Sequence, residues 1–139
     1  MKNCLAKSLR HAAWAPLCVF AFYIIAAKGF NAYLIYPWLD IPTHFFGGIA
    51  ITYFYLIATR YSQVMIGNIP GLIQCLMCLG LTATTAIFWE FLEFGSDLLL
   101  GTKMNLGVSD TLSDLFFGLV GAGALIATIS FFEGVKSKT

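Results

Sequence analysis

An all-α integral membrane bundle of four transmembrane helices is the fold this sequence predicts. Three observations carry it. Of 139 residues, 59% are hydrophobic and only 11% are charged, with mean hydropathy +0.82; a soluble domain averages about 45–50% apolar and about 25% charged. So short a chain cannot hide that excess in a soluble core, because small domains expose much of their surface. The apolar residues fall into four runs near the length of about 20 residues that spans a bilayer. Lys and Arg are shared unequally between the two sets of intervening segments.

The first span is expected over residues 12–28, between Arg10 and Lys28. Basic residues followed by an apolar run resemble a secretory signal, but no small-x-small cleavage site follows, which favours a signal anchor. Tyr33, Tyr36 and Trp38 crowd the next segment, and such amphipathic rings favour the membrane interface. Asn31–Leu39 is therefore read as a short interfacial piece in the first outer loop. The second span is expected over 42–60, with Pro42 in the first turn, where amide hydrogens lack intrahelical partners anyway. The third is expected over 71–94, its helix running on towards Leu100, and the fourth over 111–132. All four make one transmembrane domain, residues 1–139. Lys2, Lys7, Arg10, Arg60, Lys136 and Lys138 lie on one side of this layout, Lys28 and Lys103 on the other. The positive-inside rule then puts both termini in the cytoplasm.

Six of the seven acidic residues, Asp40, Glu90, Glu93, Asp97, Asp110 and Asp114, and one histidine, His44, sit at outer ends of these spans. A carboxylate at the hydrocarbon centre costs about 3 kcal/mol on insertion scales, so such residues mark function by default. At about 100° per residue, Glu90, Glu93 and Asp97 share a sector of about 60°. Asp40 and His44 share a face, as do Asp110 and Asp114, each pair being four residues apart. Asp40 and Asp110 also read as helix N-caps, and Asp114, a turn later, gains from the positive helix end. The third span admits no such account, because anions are disfavoured near a helix C-terminus and repel at this spacing. Its counter-charge is expected from a bound cation, shared protons or a cationic substrate.

Carboxylates with one imidazole suit Mg²⁺, Mn²⁺, Fe²⁺ or Zn²⁺, and facing helices of bundles build metal sites from such pairs. A metal there can activate water and polarise a phosphoryl or carbonyl oxygen. The favoured reading is a metal-dependent hydrolase or transferase acting on a lipid-linked or isoprenoid-phosphate substrate. Glu90, Glu93, Asp97 and Asp110 are the candidate metal ligands. His44, Asp40 and Asp114 are the candidate catalytic groups, and Trp38, Trp89 and Lys103 are candidates for substrate binding. Two other classes stay open: a proton- or cation-coupled transporter, and an accessory subunit held to a membrane-protein partner or to further copies of itself. Transport would need polar groups at other depths, where only the neutral Gln74, Thr82, Thr84 and Thr85 stand. Net charge of +1 and the lack of a basic stripe argue against nucleic acid. Cys75-x-x-Cys78 lies at membrane depth without two further ligands nearby, and is read as buried small hydrophobes. Gly47, Gly48, Gly118, Gly121, Ala122 and Gly123 are read as surfaces for close helix packing.

The spacing Asp40-x-x-x-His44-Phe45-x-Gly47-Gly48, Trp89-Glu90-x-x-Glu93-x-x-x-Asp97 and Asp110-Thr111-x-x-Asp114-x-x-x-Gly118-x-x-Gly121 resembles the YjdF-like family of bacterial inner-membrane proteins. It is more distantly similar to VanZ-like membrane proteins. The resemblance covers roughly residues 40–123 and implies a bacterial inner membrane and a shared site, without naming a reaction. The family usually carries a lysine or other polar residue between the aspartate and the histidine, where this chain has Ile41-Pro42-Thr43.

Overall fold

The computed structural model describes residues 2–136, excluding the side chains of residues 2–5, 28 and 133–136. Lys138 of the basic tail lies outside the described residues, as do the side chains of Lys2, Lys28 and Lys136, which the orientation argument uses. Every element among the described residues is helical. They are α1 (Lys2–Ala12), α2 (Trp14–Ile24) running into a π-helical turn (Ile25–Gly29), and α3 (Ala32–Ile35). A 3₁₀ turn (Pro37–Leu39) then leads into α4 (Asp40–Ile66), α5 (Gly71–Leu100) and α6 (Val108–Lys136). Three stretches are long and apolar enough to cross a membrane: Pro37–Ile66, Gly71–Leu100 and Val108–Phe132.

The first expected span, residues 12–28, falls on the helix Trp14–Ala27, which is inclined at 56° to the preceding helix Ala6–Ala12; the two make a fourth span only if the bent pair counts as one. Pro16 explains the break. It has no N–H for the carbonyl of Ala12, and its ring crowds that carbonyl, while Ala13 N–H still bonds Leu9 O at 3.2 Å.

Sequence turned inside out shows which solvent the helices meet. The largest fully buried side chains are Thr52, Thr82, Asp114 and Cys78, whereas Phe88, Phe91, Leu98, Leu112 and Phe116 lie exposed on the outside. Such an interior, small and polar beneath an apolar exterior, fits helices that associate in lipid by close packing and hydrogen bonds.

α4 is the central helix, with α1, α2, α5 and α6 packed around it. Its contact with α6 is backbone on backbone. A Cβ added at Gly48 would lie 1.9 Å from Gly118 O, and one at Gly121 would lie 2.0 Å from Phe45 O. No other residue type fits these two positions without parting the helices. Gly47 and Gly123, read with them as packing residues, meet nothing within 4 Å of such a Cβ. The α4–α5 seam is held by hydroxyls instead. Thr52 Oγ1 pairs with Thr82 Oγ1 at 2.8 Å. Thr85 donates to Leu81 O, so the Tyr55 hydroxyl donates to Thr85 Oγ1 at 2.8 Å. Gln74 Nε2 donates to Thr59 Oγ1 at 2.8 Å.

The segment before α4 is tied down from its own side chains. Thr43 donates to Leu39 O at 2.8 Å and so accepts from the Tyr33 hydroxyl at 2.7 Å. Burial raises the Tyr33 phenol above its ordinary pKa, which keeps that donor proton in place.

Candidate functional site

Three helix ends deliver the site, and each does so for a local reason. Asp40 is the first residue of α4, and its helix N-cap is Leu39, which makes no side-chain cap bond. The expectation that Asp40 caps the helix is therefore replaced: its Oδ1 faces His44 Nε2 at 3.4 Å, one turn on. On the opposite side the same nitrogen faces Asp114 Oδ1 at 3.9 Å. This approach of α4 to α6 depends on the glycine crossing one turn below, where Gly48 meets Gly118. A carboxylate only accepts hydrogen bonds, so Nε2, flanked by two of them, is the ring nitrogen placed to donate to them.

α5 contributes Glu90 and Glu93, only 4% and 3% exposed, and α6 contributes Asp114, 2% exposed. One ligand atom from each of these three carboxylates lies within 4.8 Å of the other two. Asp40, His44 and Asp114 satisfy the same condition, so Asp114 is common to both groups. Its Oδ2 is buried and has no hydrogen-bond partner. Among the described residues no cysteine joins a group of this kind; Cys78 is buried with its Sγ 3.7 Å from Thr59 Oγ1.

Neutral donors fix the orientation of the two glutamates. Trp89 Nε1 donates to Glu93 Oε1 at 2.8 Å, and Asn105 Nδ2 donates to Glu90 Oε2 at 3.5 Å. Asn105 is itself held by Thr111 Oγ1 at 2.7 Å. Tyr23 packs edge-on against Trp89, with ring centroids 5.5 Å apart, and Phe20 does likewise at 5.9 Å.

Two of the expected metal ligands are drawn elsewhere. Asp97 lies one turn beyond Glu93, and the loop after α5 folds back onto it. It accepts from the Thr102 hydroxyl, from Met104 N–H at 2.8 Å and from Asn105 N–H at 2.9 Å. Those donors meet the unfavourable helix end from within the chain. Asp110 Oδ2 accepts from Leu106 N–H at 2.8 Å, a turn-closing role in the first turn of α6. Neither falls in the two ligand-capable groups. Among the substrate-binding candidates, Trp89 borders the cluster. Trp38 is 65% exposed and packs on Tyr36, and Lys103 is exposed on the loop.

Tyr23, Asn105 and Thr111 were not among the residues that sequence reasoning placed at the site. The run Thr102–Asn105 follows Gly101, which caps α5 at φ +64° and marks a turn, but nothing local says which carboxylate the loop returns to.

A family profile described as "Predicted membrane protein (DUF2238)" matches residues 5–134. The chain belongs to that family. A relative from Thermotoga maritima, described as an uncharacterised protein, is 37% identical over 89 residues, which is 63% of this chain and 44% of the relative. The match thus spans less than half of that relative's length. No solved structure matches. The family match, with three membrane-length helices, makes this DUF2238 chain a multi-pass membrane protein. All residues of both ligand-capable groups fall inside the matched segment.

Proposed function

We propose that this chain is a metal-dependent membrane hydrolase or transferase acting on a phosphate-bearing lipid. One observation carries the reading. Three carboxylates, each more than nine-tenths buried, converge within 4.8 Å, and one oxygen of Asp114 has no partner at all. Burying a charge without a partner is strongly unfavourable. Among the described residues the basic side chain within ion-pair distance of the cluster is His44 alone. A cation at Glu90, Glu93 and Asp114 would satisfy all three, and an all-oxygen set suits Mg²⁺ or Mn²⁺. His44 with Asp40 and Asp114 offers the borderline alternative, suited to Fe²⁺ or Zn²⁺.

A divalent ion bound by the carboxylates would supply Lewis acidity and a water of lowered pKa. His44 would hold a proton on Nε2 and pass it to the leaving oxygen, with Asp40 fixing its ring. Trp89 and Asn105 would hold the glutamates in place as outer-shell partners. Asp97 and Asp110 would shape the rim by ordering the loop between α5 and α6. In the same reading the bent α1–α2 pair is a first span, both termini are cytoplasmic, and the site faces outward across a bacterial inner membrane. The lysine and arginine distribution supports that orientation. Kinship with YjdF-like and VanZ-like proteins is proposed on the three motifs quoted above.

The test is the metal content of protein purified without chelator, beside a Glu90→Gln, Glu93→Gln double variant. Stoichiometric metal in the native chain and little in the variant is the expected outcome. A native chain without metal would remove the reading. A second reading, proton or cation transport, draws on the hydroxyl seam below the cluster, where Thr52–Thr82 and Tyr55–Thr85 extend polar groups along α4 and α5. Ion flux into liposomes that disappears in the double variant would favour it.

A further inference from the structure

The end of the bundle opposite the acidic cluster is basic. Residues 1–39 contain Lys2, Lys7, Arg10 and Lys28 and no acidic residue. Between Asp40 and Glu90 stands Arg60, and again no carboxylate. In the tail, Glu133 is outnumbered by Lys136 and Lys138. On α1 this excess is sorted by face. Ser8 and Ala12, about 40° apart at 100° per residue, are 2% and 0% exposed, and α1 packs on α4 through that side. Lys7 and Arg10, about 60° apart, are exposed on the other side. Leu9, 49% exposed, lies between the two faces.

The depth of α1 follows from α4. Asp40 and Arg60 close the two ends of its apolar course, and at 1.5 Å per residue they stand about 30 Å apart, the thickness of a hydrocarbon core. The ring of His11 lies 5.9 Å from that of Tyr61, the residue after Arg60, so α1 meets α4 where the hydrocarbon ends. The inclination of 56° between Ala6–Ala12 and Trp14–Ala27 agrees with this. With the longer helix along the membrane normal, α1 lies closer to the membrane plane than to that normal.

We infer that α1 is a surface helix whose Lys7 and Arg10, with Arg60 at the adjoining edge of α4, bind the phosphodiester head groups of acidic phospholipids. Charge and depth together select this occupant. A basic face bordered by an apolar one, held at head-group level, is what an amphipathic helix presents to an anionic bilayer. A zwitterionic surface would accommodate Leu9 but leave the two cations without counter-charge. An acidic soluble protein would meet the cations but leave Leu9 without an apolar neighbour. The helix Trp14–Ala27 then carries the crossing, and α1 rests at its edge. The inference holds for either leaflet and does not draw on the metal reading.

The experiment follows hydrogen exchange of the Ala6–Ala12 amides in the full chain, in nanodiscs of phosphatidylcholine alone and of equal parts phosphatidylcholine and phosphatidylglycerol. The native chain is compared with a neutralised variant, Lys7→Gln with Arg10→Gln, and a charge-keeping variant, Lys7→Arg with Arg10→Lys. Phosphatidylglycerol is expected to slow exchange in the native chain about tenfold, equivalent to about 1.4 kcal/mol, on the scale of one or two basic residues near an anionic surface. High salt should shrink the difference by screening. The neutralised variant should lose it and the charge-keeping variant should retain it. The amides of Met104 and Asn105, at the other end of the bundle, should exchange alike in both lipids. Equal exchange of α1 in the two lipids would overturn the inference, as would an undiminished difference in the neutralised variant. Loss of the difference in the charge-keeping variant would also overturn it, since packing and not charge would then be responsible. So would an equal slowing at Met104 and Asn105, which would report the bilayer as a whole.

Discussion

The lower and upper halves of the bundle, the α4–α5 seam below and the cluster built by α4, α5 and α6 above, treat buried polarity in opposite ways. Along the seam in the lower half, neutral polar groups are answered from within the chain: Thr52 by Thr82, Tyr55 by Thr85, Thr59 by Gln74. In the upper half the groups are carboxylates, and the chain supplies fewer donors than they have oxygens, leaving Asp114 Oδ2 unpartnered. A satisfied neutral seam stabilises helix contact and asks for nothing more. The unpartnered carboxylate oxygen in the upper half is what the metal proposal rests on, because buried charge without a partner is costly. The lower half thus holds the bundle together, while the upper half is where a metal is proposed.

Asp114→Asn should break the contrast most completely, since Asp114 belongs to both ligand-capable groups. Metal affinity measured by titration calorimetry is expected to fall by more than about 100-fold, beyond the roughly 10–100-fold typical of outer-shell changes. Full retention of metal would mean that the upper half is satisfied by shared protons instead. Next in size is Gly121→Ala, whose methyl would stand 2.0 Å from Phe45 O. Forcing α4 and α6 apart should cost about 1–3 kcal/mol, as overpacking does, in reversible unfolding from mixed micelles. It should also weaken metal binding, because His44 and Asp114 face each other across that crossing.

Asp97→Asn should act on the loop and not on the cluster. Weakened acceptance from Met104 and Asn105 is expected to cost about 1–2 kcal/mol locally, in the range of hydrogen bonds to charged groups. Hydrogen exchange at those two amides should quicken while metal per chain stays constant. Metal loss in this variant would return Asp97 to the ligand set. The smallest effect is expected from Thr52→Val with Thr82→Val. Removing both partners of a membrane hydrogen bond should cost about 0.6 kcal/mol, the average for such pairs, with no change in metal. If that double variant instead abolished ion flux in liposomes, the lower half would be a conduit rather than a brace.

The α4, α5 and α6 helices were legible because apolar length is a local property, and the convergence of Glu90 and Glu93 followed from their three-residue spacing. The kink was less so. Pro16 was visible in the sequence, yet a proline in a membrane helix is compatible with either a continuous or a broken span, and the 56° bend before it is seen only in the structure. Asp97 shows the limit of helical periodicity. It shares a face with Glu90 and Glu93, but face alone does not reveal that a loop starting at Gly101 returns three donors to it. Gly47 and Gly48 are adjacent and chemically identical, and only the position of α6 separates a packing contact from an open wall.

By itself, the sequence determined the helices, their lipid-seeking surfaces and the gathering of acidic residues near particular helix ends, because propensity, apolar length and spacing act over a few residues. Tertiary structure decided which of those carboxylates are met by donors and that Asp114 Oδ2 is not. The loop answering Asp97 and the crossing that sets His44 against Asp114 join residues far apart in the chain, and the sum of donors and acceptors in a buried site is known only once those partners meet.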